Sequence, residues 1–106
     1  MAKAQDYAYR VLWSQEDAAY VGTVAEFPSL SCVEDSQSDA FFGIVEVVAD
    51  ALRDMEERGE KPPVPFAKRT YSGKFALRIP PEKHRQLVIE AAEQHVSLNQ
   101  LVVSRL

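Results

Sequence analysis

Three prolines in the segment Pro62-Pro63-Val64-Pro65 divide the 106-residue chain into two regions. Proline lacks a main-chain donor and biases the residue before it toward an extended backbone, so no helix or central strand is expected to continue through this segment. Arg58-Gly59, just upstream, is typical of a helix end, with a cation in the last turn and a glycine beyond it. We therefore predict two domains, residues 1–61 and residues 74–106, joined by a stiff and basic linker over residues 62–73.

The two regions differ in charge. Residues 1–66 contain five Lys and Arg against thirteen Asp and Glu, a net charge of −8, whereas residues 67–106 contain seven against three, a net charge of +4. The basic part is suited to phosphate and the acidic part to a basic partner. With 46% hydrophobic residues, the composition excludes wholesale disorder. No apolar run reaches the roughly 20 residues of a membrane helix, and the chain does not open with a signal peptide, so we expect a cytoplasmic protein without membrane contacts.

The first region has the pattern of an antiparallel sheet with one helix. Apolar and aromatic residues alternate from Tyr7 to Trp13, and strand-forming residues follow in two further short runs, residues 19–27 and 30–34. Short connections between these runs favour an antiparallel meander. Ser36 is suited to begin a helix, and apolar residues then recur at helical spacing through residue 55. The sequence predicts an α+β fold, with a three- or four-stranded antiparallel sheet packed on one helix.

The second region has the order strand, helix, helix. Residues 74–79 alternate without interruption, with Phe75, Leu77 and Ile79 on one face and Lys74, Ala76 and Arg78 on the other. Pro80-Pro81 suits the first turn of a helix, and Ser97 is suited to cap a second one.

One isolated strand leaves its backbone donors and acceptors unpaired on both edges, and about 35 residues bury too little surface to fold alone. We therefore predict a homodimer in which the strand pairs antiparallel with its copy. The predicted dimer core consists of the apolar residues of the strand and helices: Phe75, Leu77, Ile79, Leu87, Val88, Leu98, Leu101 and Val102. The opposite face of this two-stranded ribbon projects Lys74, Ala76 and Arg78, and such a ribbon fits the major groove of DNA.

The chain resembles known proteins at two levels. Residues 74–106 resemble the ribbon-helix-helix DNA-binding fold. The whole chain resembles HicB antitoxins through a set of short blocks in a shared order: Trp13-Ser14-Gln15-Glu16-Asp17, Tyr20-Val21-Gly22, Glu26-Phe27-Pro28-Ser29-Leu30-Ser31, Tyr71-Ser72-Gly73-Lys74-Phe75, Arg78-Ile79-Pro80-Pro81-Glu82 and Val96-Ser97-Leu98-Asn99. Each block alone is weak evidence of a relationship, whereas the presence of all of them in the family's order makes the resemblance specific.

The resemblance implies a partial ribonuclease-H-like first domain that binds and neutralises a HicA-like toxin, a small RNA-cutting protein that uses a histidine. It implies a second domain that binds operator DNA as a dimer or a tetramer. By match to the ribbon motif, Lys74, Ala76 and Arg78 take the base-facing positions. Ser97, Leu98 and Asn99 take the phosphate-clamping start of the second helix. Lys68 and Arg69 precede the ribbon, and we predict that they contact phosphate.

The chain departs from the family pattern at two positions. Ala76 lacks a hydrogen-bonding group, so base readout would rest on Lys74 and Arg78. His95 stands between the two helices, where relatives commonly have glycine, and a left-handed backbone there would strain it.

Other functions were weighed against this prediction. Lys74 and Arg78 could be an ordinary solvated strand face. The acids of the first region form no pattern of a two-metal nuclease, and His84 and His95 have no metal-ligand spacing, so we predict no enzyme, no metal and no cofactor. Two alternatives stay open: a stand-alone ribbon-helix-helix transcriptional regulator, and an RNA-binding protein that uses its aromatic residues.

Overall fold

The structure, a computed structural model, describes residues 2–106 and separates into two compact units. One unit ends at Tyr71, and the other spans Ser72–Leu106. The first unit contains three strands and a long helix: β1 (Tyr9–Ser14), β2 (Ala19–Val24), β3 (Ser31–Glu34) and α1 (Gln37–Glu57). The second contains α2 (Pro81–Glu93) and α3 (Leu98–Ser104). The fold is therefore α+β, as predicted.

The sheet is an antiparallel meander with β2 in the centre. Trp13 of β1 pairs with Tyr20 of β2, which pairs in turn with Glu34 of β3. The next row that points to the same face is Val11, Gly22 and Cys32. The prediction of an antiparallel sheet is confirmed, with three strands in the described part of the chain.

Helix α1 begins and ends where the sequence predicts. Ser36 is its N-cap, and the Ser36 hydroxyl accepts a hydrogen bond from the Asp39 main-chain N–H at 3.1 Å. Arg58 is its C-cap, and Gly59 follows with a φ of 69°, a left-handed conformation that glycine adopts without steric cost. These local signals set the length of the helix that covers the sheet.

The core of the first unit lies between α1 and the sheet. Ile44 and Val48 of the helix are fully buried, and they pack with Tyr7 and Val24. The helix lies close to the central strand because position 22 is a glycine: a Cβ there would be 2.6 Å from the Ala40 carbonyl oxygen. The helix therefore shields one face of the sheet, and the other face stays open.

The proline segment packs on the first unit. The Tyr7 hydroxyl donates to the Pro63 carbonyl at 2.8 Å, and Pro65 is buried. The buried Glu26 carboxylate accepts from the Ala8 N–H at 3.0 Å and from the Phe66 N–H at 2.9 Å. The boundary of the compact units thus falls after Tyr71, within the predicted linker. The limits of the functional domains, residues 1–61 and 74–106, stay predictions.

The second unit is a pair of helices preceded by an extended, exposed segment. Pro81 is the first residue of α2, and α2 packs on α3, with Ala91 and Leu101 buried between them. Residues 74–79 form no strand in the single chain, which differs from the prediction. The reason is physical, because a strand needs a hydrogen-bonded neighbour and none of the described strands pairs with this segment. None of the described helices is long and apolar enough to cross a membrane.

Candidate functional site

The six residues predicted to form the ribbon, residues 74–79, are accessible to solvent on both faces of the segment. Phe75 and Leu77 are 77% and 62% exposed, and Ile79 is half-buried. Lys74, Ala76 and Arg78 are exposed as well. An alternating segment with exposed Phe and Leu is unusual in a monomeric protein, since large apolar side chains in a row expose a continuous surface that is costly to hydrate.

The apolar sides of α2 and α3 are only partly covered. Of the predicted dimer-core residues in the helices, Leu101 is buried, Val88 is 46% exposed, and Leu87, Leu98 and Val102 are half-buried. An ion pair between Arg105 and Glu90 joins the two helices at their surface. The helix pair therefore buries few apolar side chains and leaves a larger apolar surface exposed to solvent. The dimer core itself stays a prediction.

The start of α3 is closed by a reciprocal capping box. The Ser97 hydroxyl accepts from the Gln100 N–H at 3.0 Å, and the Gln100 side-chain oxygen accepts from the Ser97 N–H at 2.9 Å. The prediction that Ser97 caps this helix is confirmed. Asn99 is exposed and Leu98 is half-buried. A phosphate contact by residues 97–99 stays a prediction.

The structure gives Lys68 and Arg69 partners within the first unit. The Lys68 ammonium lies 3.2 Å from the Asp6 carboxylate. The Arg69 Nε donates to the Val64 carbonyl at 2.9 Å, and its guanidinium lies 4.0 Å from the centre of the Phe66 ring. Sequence reasoning missed the Lys68–Asp6 pair because Asp6 is far away along the chain. The predicted phosphate contacts of Lys68 and Arg69 stay predictions, and they would compete with these partners.

Glu26 has a structural role that its sequence context did not reveal. Its two carboxylate oxygens bind the main-chain donors of Ala8 and Phe66, so it fastens the start of the sheet to the segment after the prolines. In the sequence it was one of several acids without a distinguishing pattern. Within residues 2–106, no group of three or more His, Cys, Asp or Glu side chains is arranged to hold a metal ion.

Cys32 is a half-buried thiol on β3. Burial raises its pKa, and the nearby carboxylates of Glu34 and Glu46 raise it further by disfavouring the thiolate. The Glu34 carboxylate lies 3.9 Å from the Cys32 sulfur. Because the thiolate is the reactive form, this environment suppresses nucleophilic chemistry.

Comparison with known proteins bears on both units. The model of the HicB family matches residues 56–106, a range that includes the whole of the second unit and the end of α1. Neither the curated proteins nor the solved structures yield a significant match to the chain. The matched range contains the exposed alternating segment and both helices that follow it. Residues 56–106, just under half of the chain, are therefore similar to the HicB family.

Proposed function

We propose that the protein is an antitoxin with two activities. Its first unit binds and neutralises a HicA-like ribonuclease toxin, and its second unit dimerises and represses its own operon through ribbon-helix-helix DNA binding. The observation that carries the proposal is the exposed, alternating segment of residues 74–79, which stands before two helices in the range that the HicB family model matches. The proposed function is non-catalytic.

Dimerisation is the first step, because the segment needs a partner edge. Pairing with its copy would bury Phe75, Leu77 and Ile79 from each chain. Six such side chains contribute up to about 9–18 kcal/mol in gross burial. Association of two chains costs about 4–15 kcal/mol. The free energy gained by burying the ribbon side chains is therefore close to the cost of association. Burial of the exposed apolar surface of α2 and α3 would supply the remaining stabilisation.

DNA binding follows from the other face of the ribbon. Pairing would bring Lys74 and Arg78 from both chains onto one surface, so the dimer offers four cations to one groove. Arg78 is the better base reader, since its planar fork can bond both acceptors of guanine. Ala76 can contact only an apolar group such as the thymine methyl.

The test of DNA binding is an anisotropy titration of the full chain on the region upstream of its own gene. We expect Arg78→Ala to cost about 1–3 kcal/mol per contact and to relax the preference at one position in each half-site. The matched control is Arg85→Ala, which removes the same charge from an exposed position of α2. Equal binding by wild type and Arg78→Ala would show that Arg78 is a solvated charge without a role in base readout.

The toxin-binding activity is supported by the charge of the first region. With a net charge of −8 over residues 1–66, this part is suited to a basic partner and repels RNA. The test is purification of the tagged full chain from cells that carry the gene naturally, followed by mass spectrometry. We expect a small basic ribonuclease to co-purify with the chain. This ribonuclease should stop growth when it is expressed alone, and co-expression of the chain should restore growth. A chain that purifies without one, yet binds its operator, would be a stand-alone regulator.

A further inference from the structure

Five aromatic residues of β1, β2 and the first turns of α1 form two groups of contacting rings. The rings of Trp13 and Tyr20 meet edge to face with centroids 5.1 Å apart. The centroid of the Phe41 ring lies 6.0 Å from that of Tyr9 and 5.6 Å from that of its neighbour Phe42. Tyr9 and Trp13 are four residues apart on one strand, so the stripe is about 13 Å long. We call these five residues the aromatic stripe.

The outer members of the aromatic stripe are exposed. Trp13 is 53% exposed, Phe42 is 64% exposed and Phe41 is 43% exposed. Tyr9 packs against the core around Ile44 and Val48, whereas the three exposed rings do not belong to that core. One exposed ring would need no explanation, but contacting rings on one surface are typical of a protein interface.

The strand beside the stripe is an open edge. β1 pairs with β2 on one side, and its other side is the rim of the sheet. In residues 2–106, no main-chain hydrogen bond beyond the ladder reaches the backbone of residues 9–14. An edge of this kind can accept an extended segment of a partner while the neighbouring rings contact its side chains.

The charge around the stripe has one sign. Between Arg10 and Arg53 the chain has eight Asp and Glu and no Lys or Arg. Glu34 stands in the same row of the sheet as Trp13 and Tyr20, and it points to the same face. Arg10 is an odd number of residues from Trp13 on β1, so its side chain points to the opposite face. Glu34 therefore lies on the face of the rings, within a stretch of the chain that contains acids and no Lys or Arg.

We propose that the aromatic stripe, with the open edge of β1, is the docking surface for a basic protein. The identity of that protein as a toxin rests on the proposed function, whereas the surface and the charge of its partner follow from the stripe itself. A second copy of this chain would bring two acidic surfaces together, and a nucleic acid would meet the same repulsion. A partner rich in Lys and Arg gains from both the rings and the acidic surroundings.

The test is site-specific photo-crosslinking in cells that carry the gene naturally. Phe42 is replaced by p-benzoylphenylalanine, which is close to it in shape, in the full chain expressed at its normal level. The matched control places the same residue at Val33, which is 50% exposed but lies on β3, on the opposite face of the sheet from Trp13. Adducts are identified by mass spectrometry.

We expect an adduct at Phe42 with a protein whose pI exceeds about 9, and none at Val33. When a lysate of the same cells is irradiated at about 1 M salt, which screens the charges, the yield of this adduct should fall. An adduct only with a second copy, an adduct with nucleic acid, equal adducts at both positions, or no adduct would overturn the proposal.

Affinity measurements with the crosslinked protein, once purified, measure the contribution of the rings. Trp13→Ala should weaken binding at least tenfold, as expected for an aromatic anchor that the partner buries, and Val33→Ala less than threefold. Circular dichroism of both variants confirms that they are folded. Equal effects of the two substitutions would also overturn the proposal.

These outcomes separate the docking surface from the proposed function. A basic toxin that co-purifies but forms adducts only from Val33 would refute the surface and leave the antitoxin function intact. A basic partner that docks at Phe42 and has no toxic activity would refute the antitoxin function and leave the surface intact.

Discussion

The turn between α2 and α3 carries a residue in an unfavourable conformation. His95 has a φ of 59°, in the left-handed region where a side chain crowds the backbone. The turn is a Schellman motif: the His95 N–H bonds the Ala92 carbonyl at 3.2 Å, and the Val96 N–H bonds the Ala91 carbonyl at 3.0 Å. These two bonds hold His95 in place despite its strain, so replacement by glycine is expected to relieve it.

The size of the effect is the difference of two terms. A residue with a Cβ in this conformation costs about 1–2 kcal/mol. Glycine removes this strain from the folded state. It also lowers stability by about 0.5–1 kcal/mol, because glycine makes the unfolded chain more flexible. We therefore expect His95→Gly to raise the free energy of unfolding by up to about 1 kcal/mol. His95 is exposed, so the imidazole contributes little packing that the substitution would remove.

The assay is urea unfolding of the full chain at one protein concentration, followed by circular dichroism. A gain of 1 kcal/mol shifts the midpoint by about 0.5 M for a slope of about 2 kcal/mol per molar. Trp13 is the one tryptophan and lies in the first unit, so its fluorescence reports whether that unit stays unchanged.

Two controls separate the backbone effect from other causes. His95→Ala removes the imidazole but keeps the Cβ, and it should give no gain. His84→Gly places a glycine within α2, where it should cost about 0.5–1 kcal/mol. If His95→Gly destabilises the protein as His84→Gly does, the left-handed turn carries no strain and the reasoning is wrong.

Three further predictions concern the core, the thiol and the ribbon. Gly22→Ala should destabilise the first unit by about 1–3 kcal/mol in urea unfolding, because its Cβ would lie 2.6 Å from the Ala40 carbonyl. Cys32 should react with iodoacetamide at pH 8 more slowly than free cysteine does, because its raised pKa lowers the thiolate fraction; faster reaction would contradict the burial argument. The full chain should sediment as a dimer at micromolar concentration and Leu77→Asp as a monomer, whereas a monomeric wild type would exclude the ribbon.

Much of the first unit could be predicted because its signals are local. Alternation identified the strands, short connections ordered them, and Ser36 and Gly59 marked the ends of α1. Each of these signals depends on neighbours within a few residues of the chain. The same holds for Ser97 at the start of α3 and for the left-handed position of His95.

The remaining features depend on residues that are distant in sequence. Nothing near Glu26 indicates that its carboxylate will bind the Phe66 N–H, forty residues away. The exposure of Trp13 was also not predictable, because an alternating pattern assigns a side chain to a face without saying how far the helix above it reaches. The proline segment likewise has the composition of a linker, yet it packs on the first unit through Tyr7.

Residues 74–79 differ from both cases, since none of the described strands pairs with them. Their alternation is that of a strand, and the single chain leaves Phe75 and Leu77 exposed. If a second copy supplies the missing edge, then forming the strand, burying its apolar face and aligning Lys74 with Arg78 are one event. DNA affinity is then linked to dimerisation by mass action, because the reading face exists only in the dimer. At concentrations below the dimer dissociation constant, operator occupancy would rise with the square of the chain concentration, which makes repression sensitive to the level of the protein.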